Sequence, residues 1–361
     1  DRDANGNYPE VAPAPTWRGT DTAAGWGDVA VVIPWTLYLA YGDTRVLEEN
    51  YTGMCAWVDH LVAASDRYLR PDKSQYGDWL AQETTPPRVT NNAYAAYAAQ
   101  LMTKTARVLH KTEDAAHYAE VAEGFRKAWV DNCTDGAGKT LCETQTSYVL
   151  GLQFSLFDEK DSETAANRLA ELIVNFLNPS LTDSGHSDTA YALLEQRAFP
   201  SWLYPVTLGA TTIFENWGGM TQNDEGKIAI SNSLNHYCYG SVSEWLYRYV
   251  LGIDADEEQP GYKHILLHPT PGGTLTYARG RFDSQYGTIR SGWEYKGNDC
   301  VYTFEIPANT TATVTLQKEE GKRVLTDSSA VMISETEKEA VYAVSSGSHS
   351  FTVKNARGGL T

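Results

Sequence analysis

Between residues 27 and 253, apolar positions recur at helical spacing in segments separated by short polar breaks. Apolar residues three and four positions apart fall on one side of a helix, so each segment predicts one helix. The segments are 27–43, 44–65, 90–112, 113–132, 143–157, 162–177, 187–196 and 239–253, and the stretch 201–217 continues the series. The pattern predicts about nine or ten helices.

Two kinds of predicted helix alternate along the chain. Segment 27–43 is apolar nearly all round, whereas segment 44–65 is amphipathic, with charged residues on one side. An inner ring of helices is buried on both sides and an outer ring on one side, which is what this alternation requires. The fold class predicted for residues 1–253 is therefore mainly α, an (α/α)6 barrel that the helix count leaves incomplete.

The pattern changes after a linker rich in Pro, Gly and Asp near residues 254–262. Apolar and polar residues then alternate at period two, which predicts strands. The segments are 300–307, 310–316 and 339–353, with turns predicted at 296–299 and 345–348. We expect residues 254–361 to form an antiparallel β-sandwich. This domain has no cluster of acids or histidines, so we assign it a packing role.

The charge balance excludes several classes of partner. The 361 residues carry 46 acidic and 29 basic side chains, a net charge of −17. Nucleic acids and anionic membranes bind basic surfaces, so neither is an expected partner. No apolar run reaches the roughly 18 residues that a membrane span needs. The 10 tryptophans and 22 tyrosines serve mainly as core, although such rings also stack on sugars.

Five cysteines are too few for a disulfide framework in a chain of this length. The odd count favours free thiols, with a Cys133–Cys142 disulfide as the alternative. No Cys/His spacing suggests a metal site. Asp1 is not a methionine and no signal segment follows it, so we expect a processed or truncated chain. The compartment stays open, with the cytoplasm favoured over the periplasm or secretion.

Three acidic residues lie beside tryptophans and near glycines. Glu215 lies in "IFENWGG", Asp28 in "GWGDV" and Asp78 in "YGDWLA". A neighbouring ring partly desolvates a carboxylate and raises its pKa towards general acid or base use. The alternative for Asp28 is a helix N-cap, which we favour for that residue. Glu215 has apolar flanks, which an ordinary surface glutamate does not need.

A second polar group follows Glu215 by 21 residues. His236 lies in "SNSLNHYCYGS", between Asn235 and Tyr237 and just before a predicted helix. Several polar side chains emerge together there, as a site for sugar hydroxyls requires. A structural histidine is the alternative.

The chain resembles bacterial α-L-rhamnosidases over nearly its whole length. The motifs, in chain order, are "GWGDVAVVIPWTLYLAYGD", "GDWLA", "FPSWLYPVTLGATTIFENW", "NSLNHYCYGSVSEWLYRYVLGID" and "PGYKHILLHPTPGGTLTYARGRFDSQYGTI". The resemblance implies an (α/α)6 barrel with a C-terminal β-domain. It also implies hydrolysis of terminal α-L-rhamnose with inversion, on a rhamnose-containing oligosaccharide or glycoside.

The resemblance also assigns site residues. It implies that Glu215 is the general base, that His236 contacts the rhamnose, and that Trp26, Trp79 and Trp202 line the sugar site. Asp28 and Asp78, singled out above, are further candidates for substrate binding. No metal or cofactor is implied, and a homodimer is compatible with the sequence.

The sequence departs from the family pattern at two places. The family's general acid lies in a segment resembling "DxPxRDERxGWxGD", which is expected upstream of residue 1. The loop after Phe176 is shorter than in the family. Two other functions stay open: a carbohydrate-binding module that kept the fold, and another helical-barrel glycosidase or a polysaccharide lyase.

Overall fold

The computed structural model describes residues 2–13, 22–72, 78, 81, 83–172, 186–326 and 329–356. Contacts between residues divide the chain into two compact units. The first comprises Asp1–Tyr38 and Asp43–Ile173, and the second Leu39–Gly42 and Val174–Thr361. The predicted domain boundary at residue 253 falls inside the second unit and stays a prediction.

Among the residues described before position 173, the chain forms six helices. They are α1 (Val29–Tyr41), α2 (Arg45–Ala63), α3 (Pro87–Val108), α4 (Thr112–Cys133), α5 (Gln145–Gln153) and α6 (Glu159–Leu172). Each lies within or beside a segment whose periodicity predicted it. In the described part of the chain, every helix falls short of the length and apolarity that a bilayer crossing requires.

Helix α3 is an inner helix, as the alternation predicts for its segment. It packs against α2, α4 and α5, and buried residues occur on all its sides. Six of those residues are small alanines, which let the neighbouring helices approach closely. Helix α4 instead buries one face, with Tyr118, Phe125 and Trp129 in the core.

Helix α1 differs from its predicted inner position. Val31, Pro34, Trp35 and Tyr38 are buried. The opposite face carries four large apolar side chains at every fourth position, and they are 39–59 % exposed. These residues are Val29, Ile33, Leu37 and Tyr41. An apolar sequence on all sides therefore does not bury all sides of α1.

Between residues 186 and 237, the described chain contains less helix than predicted. Helix α7 spans Ser187–Glu195, and α8 is only Leu203–Thr207. The prediction that residues 201–217 continue the helical series is wrong beyond α8, because this chain enters a hairpin of β1 (Met220–Gln222) and β2 (Ile228–Ile230). A helical stretch over 238–250 follows, as predicted, with α9 (Val242–Trp245) at its centre.

Eight strands form the β-rich end of the chain. They are β3 (Ile253–Ala255), β4 (His264–Leu267), β5 (Tyr277–Ser284), β6 (Gly287–Lys296), β7 (Asp299–Gln317), β8 (Val324–Thr326), β9 (Val331–Glu335) and β10 (Glu339–Val353). A helical region followed by a β-rich region is therefore the observed architecture, and this part of the fold prediction is confirmed.

Two long strands organise the β-rich region. The first half of β7 pairs with β6 and its second half with β4, while β10 follows β7 along its whole length. Segments 300–307 and 310–316 are thus one strand, and the turn predicted at 345–348 is a register shift within β10. Pairing is antiparallel except between β4 and β7, which run parallel.

The end of the 238–250 helical stretch is fixed by the sheet. Trp293 Nε1 donates to the carbonyl of Val250 at 2.7 Å, and Ser291 Oγ donates to that of Leu251 at 2.5 Å. The last carbonyls of a helix have no partner within the helix, so these donors satisfy them. Trp245 and Tyr249 lie in the same core as the strands.

Gly252, at the junction of this helical stretch and β3, has no room for a side chain. Its φ is +71°, and an added Cβ would lie 2.0 Å from the backbone nitrogen of Pro269. We expect Gly252→Ala to lower the free energy of unfolding by about 3 kcal/mol, because left-handed strain adds to overpacking. Urea unfolding measures this.

Gly297→Ala is the matched control for that variant. Gly297 has φ of +62°, but nothing lies within 4 Å of the added Cβ. Gly297→Ala therefore measures only the free-energy cost of a left-handed backbone conformation, about 1–2 kcal/mol. Equal losses in the two variants would contradict the steric argument at Gly252.

Candidate active site

Backbone hydrogen bonds continue, at irregular spacing, beyond the hairpin of β1 and β2, between the residues that precede β1 and those that follow β2. Ser231 N donates to Gly219 O at 3.0 Å, Glu215 N to Ser233 O at 3.0 Å, and His236 N to Ile213 O at 2.9 Å. Segments 213–219 and 231–236 therefore run side by side. This pairing joins the two segments that carry Glu215 and His236: Glu215 pairs with Ser233, and His236 pairs with Ile213, two residues before Glu215.

The carboxylate of Glu215 is half-buried and loosely held. Ser233 N donates to its Oε2 at 3.3 Å, a long hydrogen bond. The backbone carbonyl of Glu215 accepts a hydrogen bond from Cys238 Sγ at 3.3 Å. The neighbouring Phe214 is 4 % exposed and anchors the strand. A carboxylate accepts several hydrogen bonds, so this one retains capacity for a water.

The imidazole of His236 has a defined orientation. Its Nδ1 accepts from Cys238 N at 3.2 Å, and its ring stacks on Tyr237 with the centroids 5.4 Å apart. An acceptor Nδ1 places the proton of the neutral ring on Nε2. His236 therefore offers an N–H donor.

Three aromatic rings pack together beside this hairpin. Trp217 stacks on Tyr239 with centroids 4.0 Å apart, and Trp202 meets Trp217 edge-on at 4.8 Å. The indole N–H of Trp202 donates to Tyr239 O at 3.0 Å. Trp202, predicted to line the sugar site, thus supports the ring of Trp217, which lies two residues after Glu215.

Asp28 lies in the first unit and is fully buried. Its Oδ2 accepts from Gly25 N at 2.8 Å, and its Oδ1 accepts from Trp57 Nε1 at 2.9 Å. The carboxylate therefore does not cap α1 as expected, since it fixes the turn that contains Trp26. The Trp26 side chain is 44 % exposed.

Burial controls the ionisation of Asp28. Desolvation raises the pKa of its carboxyl, and the nearby Arg70 guanidinium counteracts part of this rise. Burial also lowers the pKa of Arg70. Nε and Nη1 of Arg70 are buried without a hydrogen-bond partner among the described residues. Asp28 therefore provides charge compensation for Arg70 as well as hydrogen bonds for the turn.

Asp78 also contacts the protein interior. Its Oδ2 accepts from Thr85 Oγ1 at 2.8 Å, and Thr85 lies 2.7 Å from Thr144 Oγ1. The predicted sugar-contacting residue Trp79 lies outside the described residues. All five cysteines are free thiols, without a bond between Cys133 and Cys142. Within the described ranges, no group of three or more metal-ligating side chains occurs.

Sequence reasoning missed the residues that hold the site together. Ser233, Cys238 and Tyr239 contact Glu215, His236 or the aromatic cluster through backbone groups or stacking. The sequence feature that pointed towards these residues was a run of polar and aromatic residues after His236. That run could not indicate which earlier segment it would pair with.

A helical region, a β-rich region and a half-buried glutamate near aromatic rings place the chain in the class of helical glycosidase-type proteins. The model of the bacterial alpha-L-rhamnosidase 6-hairpin glycosidase domain matches residues 1–250. That of the bacterial alpha-L-rhamnosidase C-terminal domain matches residues 252–330. The chain belongs to the bacterial α-L-rhamnosidase family.

Individual relatives agree with this assignment. An alpha-L-rhamnosidase of Streptomyces avermitilis is 39 % identical over 97 % of this chain and 35 % of its own length. The structure of Streptomyces avermitilis alpha-L-rhamnosidase complexed with L-rhamnose has a TM-score of 0.89 at 38 % identity, covering 98 % of this chain and 35 % of that one. The structure of the alpha-L-rhamnosidase from Aspergillus terreus has a TM-score of 0.85 at 30 % identity, covering 98 % of this chain and 42 % of that one. The chain spans about a third of the length of the curated relatives it matches.

Proposed function

We propose that this chain supplies the general base and part of the sugar site of an inverting α-L-rhamnosidase. The observation that carries the proposal is the backbone pairing between the segment of Glu215 and the segment of His236. Family membership supports the reaction, and the rhamnose complex of the Streptomyces relative supports the sugar. The substrate is a rhamnose-containing oligosaccharide or glycoside.

Glu215 would act on water. Inversion requires a carboxylate that removes a proton from a water on the face of the sugar opposite the leaving group, while a second carboxyl group protonates the leaving oxygen. Glu215 fits the first role because Ser233 N contacts only one of its oxygens, and at a long distance. Asp28 is not proposed as the acid, since protein donors already contact both of its oxygens.

The surrounding residues would orient the ring. His236 would donate from Nε2 to a sugar hydroxyl, and the aromatic cluster would contact the sugar's apolar C–H face. The sugar-site roles that the family resemblance implies for Trp26 and Trp79, and the candidate roles of Asp28 and Asp78, stay predictions. Correct orientation of the bound sugar lowers the barrier by limiting the motions that must be frozen.

Hydrolysis of 4-nitrophenyl α-L-rhamnoside, followed by NMR, tests the reaction. We expect β-L-rhamnose to appear first, because inversion changes the anomeric configuration. An α-anomer as first product would disprove inversion. Binding of rhamnose in calorimetry without any turnover would instead favour a carbohydrate-binding module, and faster cleavage of other aryl glycosides would favour a different glycosidase.

We expect His236→Ala to lower kcat/KM on the aryl rhamnoside about tenfold to a hundredfold, the effect of leaving one sugar hydroxyl without its donor. Steady-state kinetics measures this. Tyr237→Phe is the control, because Tyr237 is 87 % exposed and keeps its stacking ring. A similar loss in both variants would indicate a damaged loop rather than a lost hydrogen bond.

Alkylation of Cys238 provides a second test that needs no turnover. Cys238 is exposed and contacts the Glu215 carbonyl, so we expect iodoacetamide to label it. L-Rhamnose at ten times its Kd should slow labelling about tenfold, because about a tenth of the sites stay empty. Buried Cys133, whose pKa burial raises to about 12, should stay unlabelled. Labelling of Cys238 at an unchanged rate would place the sugar elsewhere.

A further inference from the structure

The outer face of the β-rich region contains an open cleft of about 750 Å³. Strands β5, β6, β7 and β10 lie side by side there. One row of outward side chains runs Arg281, Arg290, Glu305 and Ser348, each opposite the next. The cleft shares no residue with the proposed hydrolytic site.

A parallel row deepens the cleft. It runs Arg279, Gly292, Thr303 and Ser350 across the same strands. A Cβ at Gly292 would lie 3.0 Å from Cγ of Arg279, so the glycine leaves room for the arginine stem to cross the sheet. At about 4.8 Å between strands, each row spans about 14 Å, which is longer than one sugar ring.

Two arginines lie opposite each other on this face. Arg281 and Arg290 are direct cross-strand partners, and both side chains are more than half exposed. Like charges in that position destabilise a sheet unless opposite charges offset them.

The chemistry of the face favours a neutral polyhydroxylated ligand. The three arginines are balanced by nearby carboxylates: Arg279 pairs with Glu294 at 2.8 Å, Arg290 with Glu305 at 2.9 Å, and Arg281 lies 3.8 Å from Asp283. The balanced charge gives no advantage to a polyanion. Planar donors and acceptors alternate with hydroxyl groups, and this combination suits the edges of sugar rings.

A flat aromatic surface adjoins the cleft. Tyr277 is 59 % exposed, lies two residues before Arg279 on the same side of β5, and its ring centre is 5.7 Å from the Arg279 guanidinium.

We propose that this cleft binds a neutral oligosaccharide, with the Tyr277 ring against one sugar face and the Arg279, Arg290 and Glu305 side chains against hydroxyl groups. The β-rich region would thereby hold a polysaccharide independently of hydrolysis. The packing role assigned to this region from sequence would be incomplete.

Affinity electrophoresis of the full chain tests the proposal. Gels contain soluble arabinan, galactan or dextran as neutral probes and polygalacturonate as the acidic probe. We expect retardation in at least one neutral gel, and at least a tenfold weaker apparent affinity for Tyr277→Ala and Arg290→Ala. The controls are Tyr41→Ala, equally exposed at 59 %, and Arg45→Ala, which removes another exposed Arg–Asp pair.

The outcomes separate the alternatives. Absence of retardation in all three neutral gels, retardation by polygalacturonate alone, or unchanged retardation of both cleft variants would overturn the proposal. Unchanged melting temperatures show that the variants are folded. Turnover of the aryl rhamnoside by the intact enzyme tests the hydrolytic site separately, so retardation of this chain without turnover by the intact enzyme would support the cleft while counting against the rhamnosidase proposal.

Discussion

Glu215→Gln is expected to lower kcat on an aryl α-L-rhamnoside by about 10²–10⁴-fold, the typical contribution of a general base. The amide keeps the size of the side chain and can still accept from Ser233 N, so the local fold should persist. It cannot remove a proton from water. KM should change little, because the proposed sugar contacts come from other residues. Steady-state kinetics in the intact enzyme measures both constants.

Glu225→Gln is the matched control. Glu225 lies exposed in the turn of the same hairpin and should be replaceable without loss. Azide provides a further check with Glu215→Gly, since an anionic nucleophile needs no base. We expect azide to restore turnover and to yield β-L-rhamnosyl azide. Near-normal turnover of Glu215→Gln would remove Glu215 from the base role.

Asp28→Asn is expected to produce the largest loss of stability, about 3–5 kcal/mol, as when one partner of a buried ion pair is removed. The amide would turn a donor towards either Gly25 N or Trp57 Nε1, and Arg70 would lose its counter-charge. Urea unfolding at neutral pH measures the loss. Asp43→Asn is the control, because its partner Arg45 is exposed to solvent.

The Asp28 effect should depend on pH with a defined sign. Burial raises the pKa of Asp28 in the folded state. Between the unfolded and the folded pKa, the folded chain therefore holds a proton that the unfolded chain has lost. That stabilisation is fully present below the unfolded value of 3.8 and is lost as the pH rises through the folded pKa. The difference in free energy of unfolding between the wild type and Asp28→Asn should therefore become smaller as the pH rises through the folded pKa. A difference that widens would mean that Arg70, and not burial, controls the carboxyl.

A double variant tests whether the Asp28 carboxylate and the Arg70 guanidinium stabilise each other. Arg70→Met combined with Asp28→Asn removes both charges, so it should be less destabilised than the sum of the single variants. Strict additivity would show that the two groups do not interact.

The helices of the first unit could be predicted from sequence because they depend on local regularity. In α4 the spacing of apolar residues records which side of the helix is buried, and in α3 small and apolar residues on all sides match its burial on all sides. The same logic failed on α1, where Ile33 and Leu37 are exposed although they are as apolar as buried Val31. Sequence pattern reports what a helix can bury, whereas its neighbours decide what it does bury.

The role of Asp28 could not be predicted for a related reason. A glycine before an aspartate at a helix start is typical of a cap, and the sequence offered no sign of Trp57 or Arg70, which lie about 29 and 42 residues further along the chain. The fold brings both groups to the carboxylate. The most probable local role was therefore replaced by a tertiary one.

The sequence by itself determined the helices described before residue 173, the β-rich region that ends the chain, the family, and the glutamate and histidine singled out as candidates. Only the tertiary structure decided that the segments carrying Glu215 and His236 pair, because backbone hydrogen bonds join 213–219 to 231–236. Such bonds involve atoms common to all residues, so they leave no periodic signature in the side chains. The same reason applies to β7 and β10, where the strands were visible in the sequence but their continuity and partners were not.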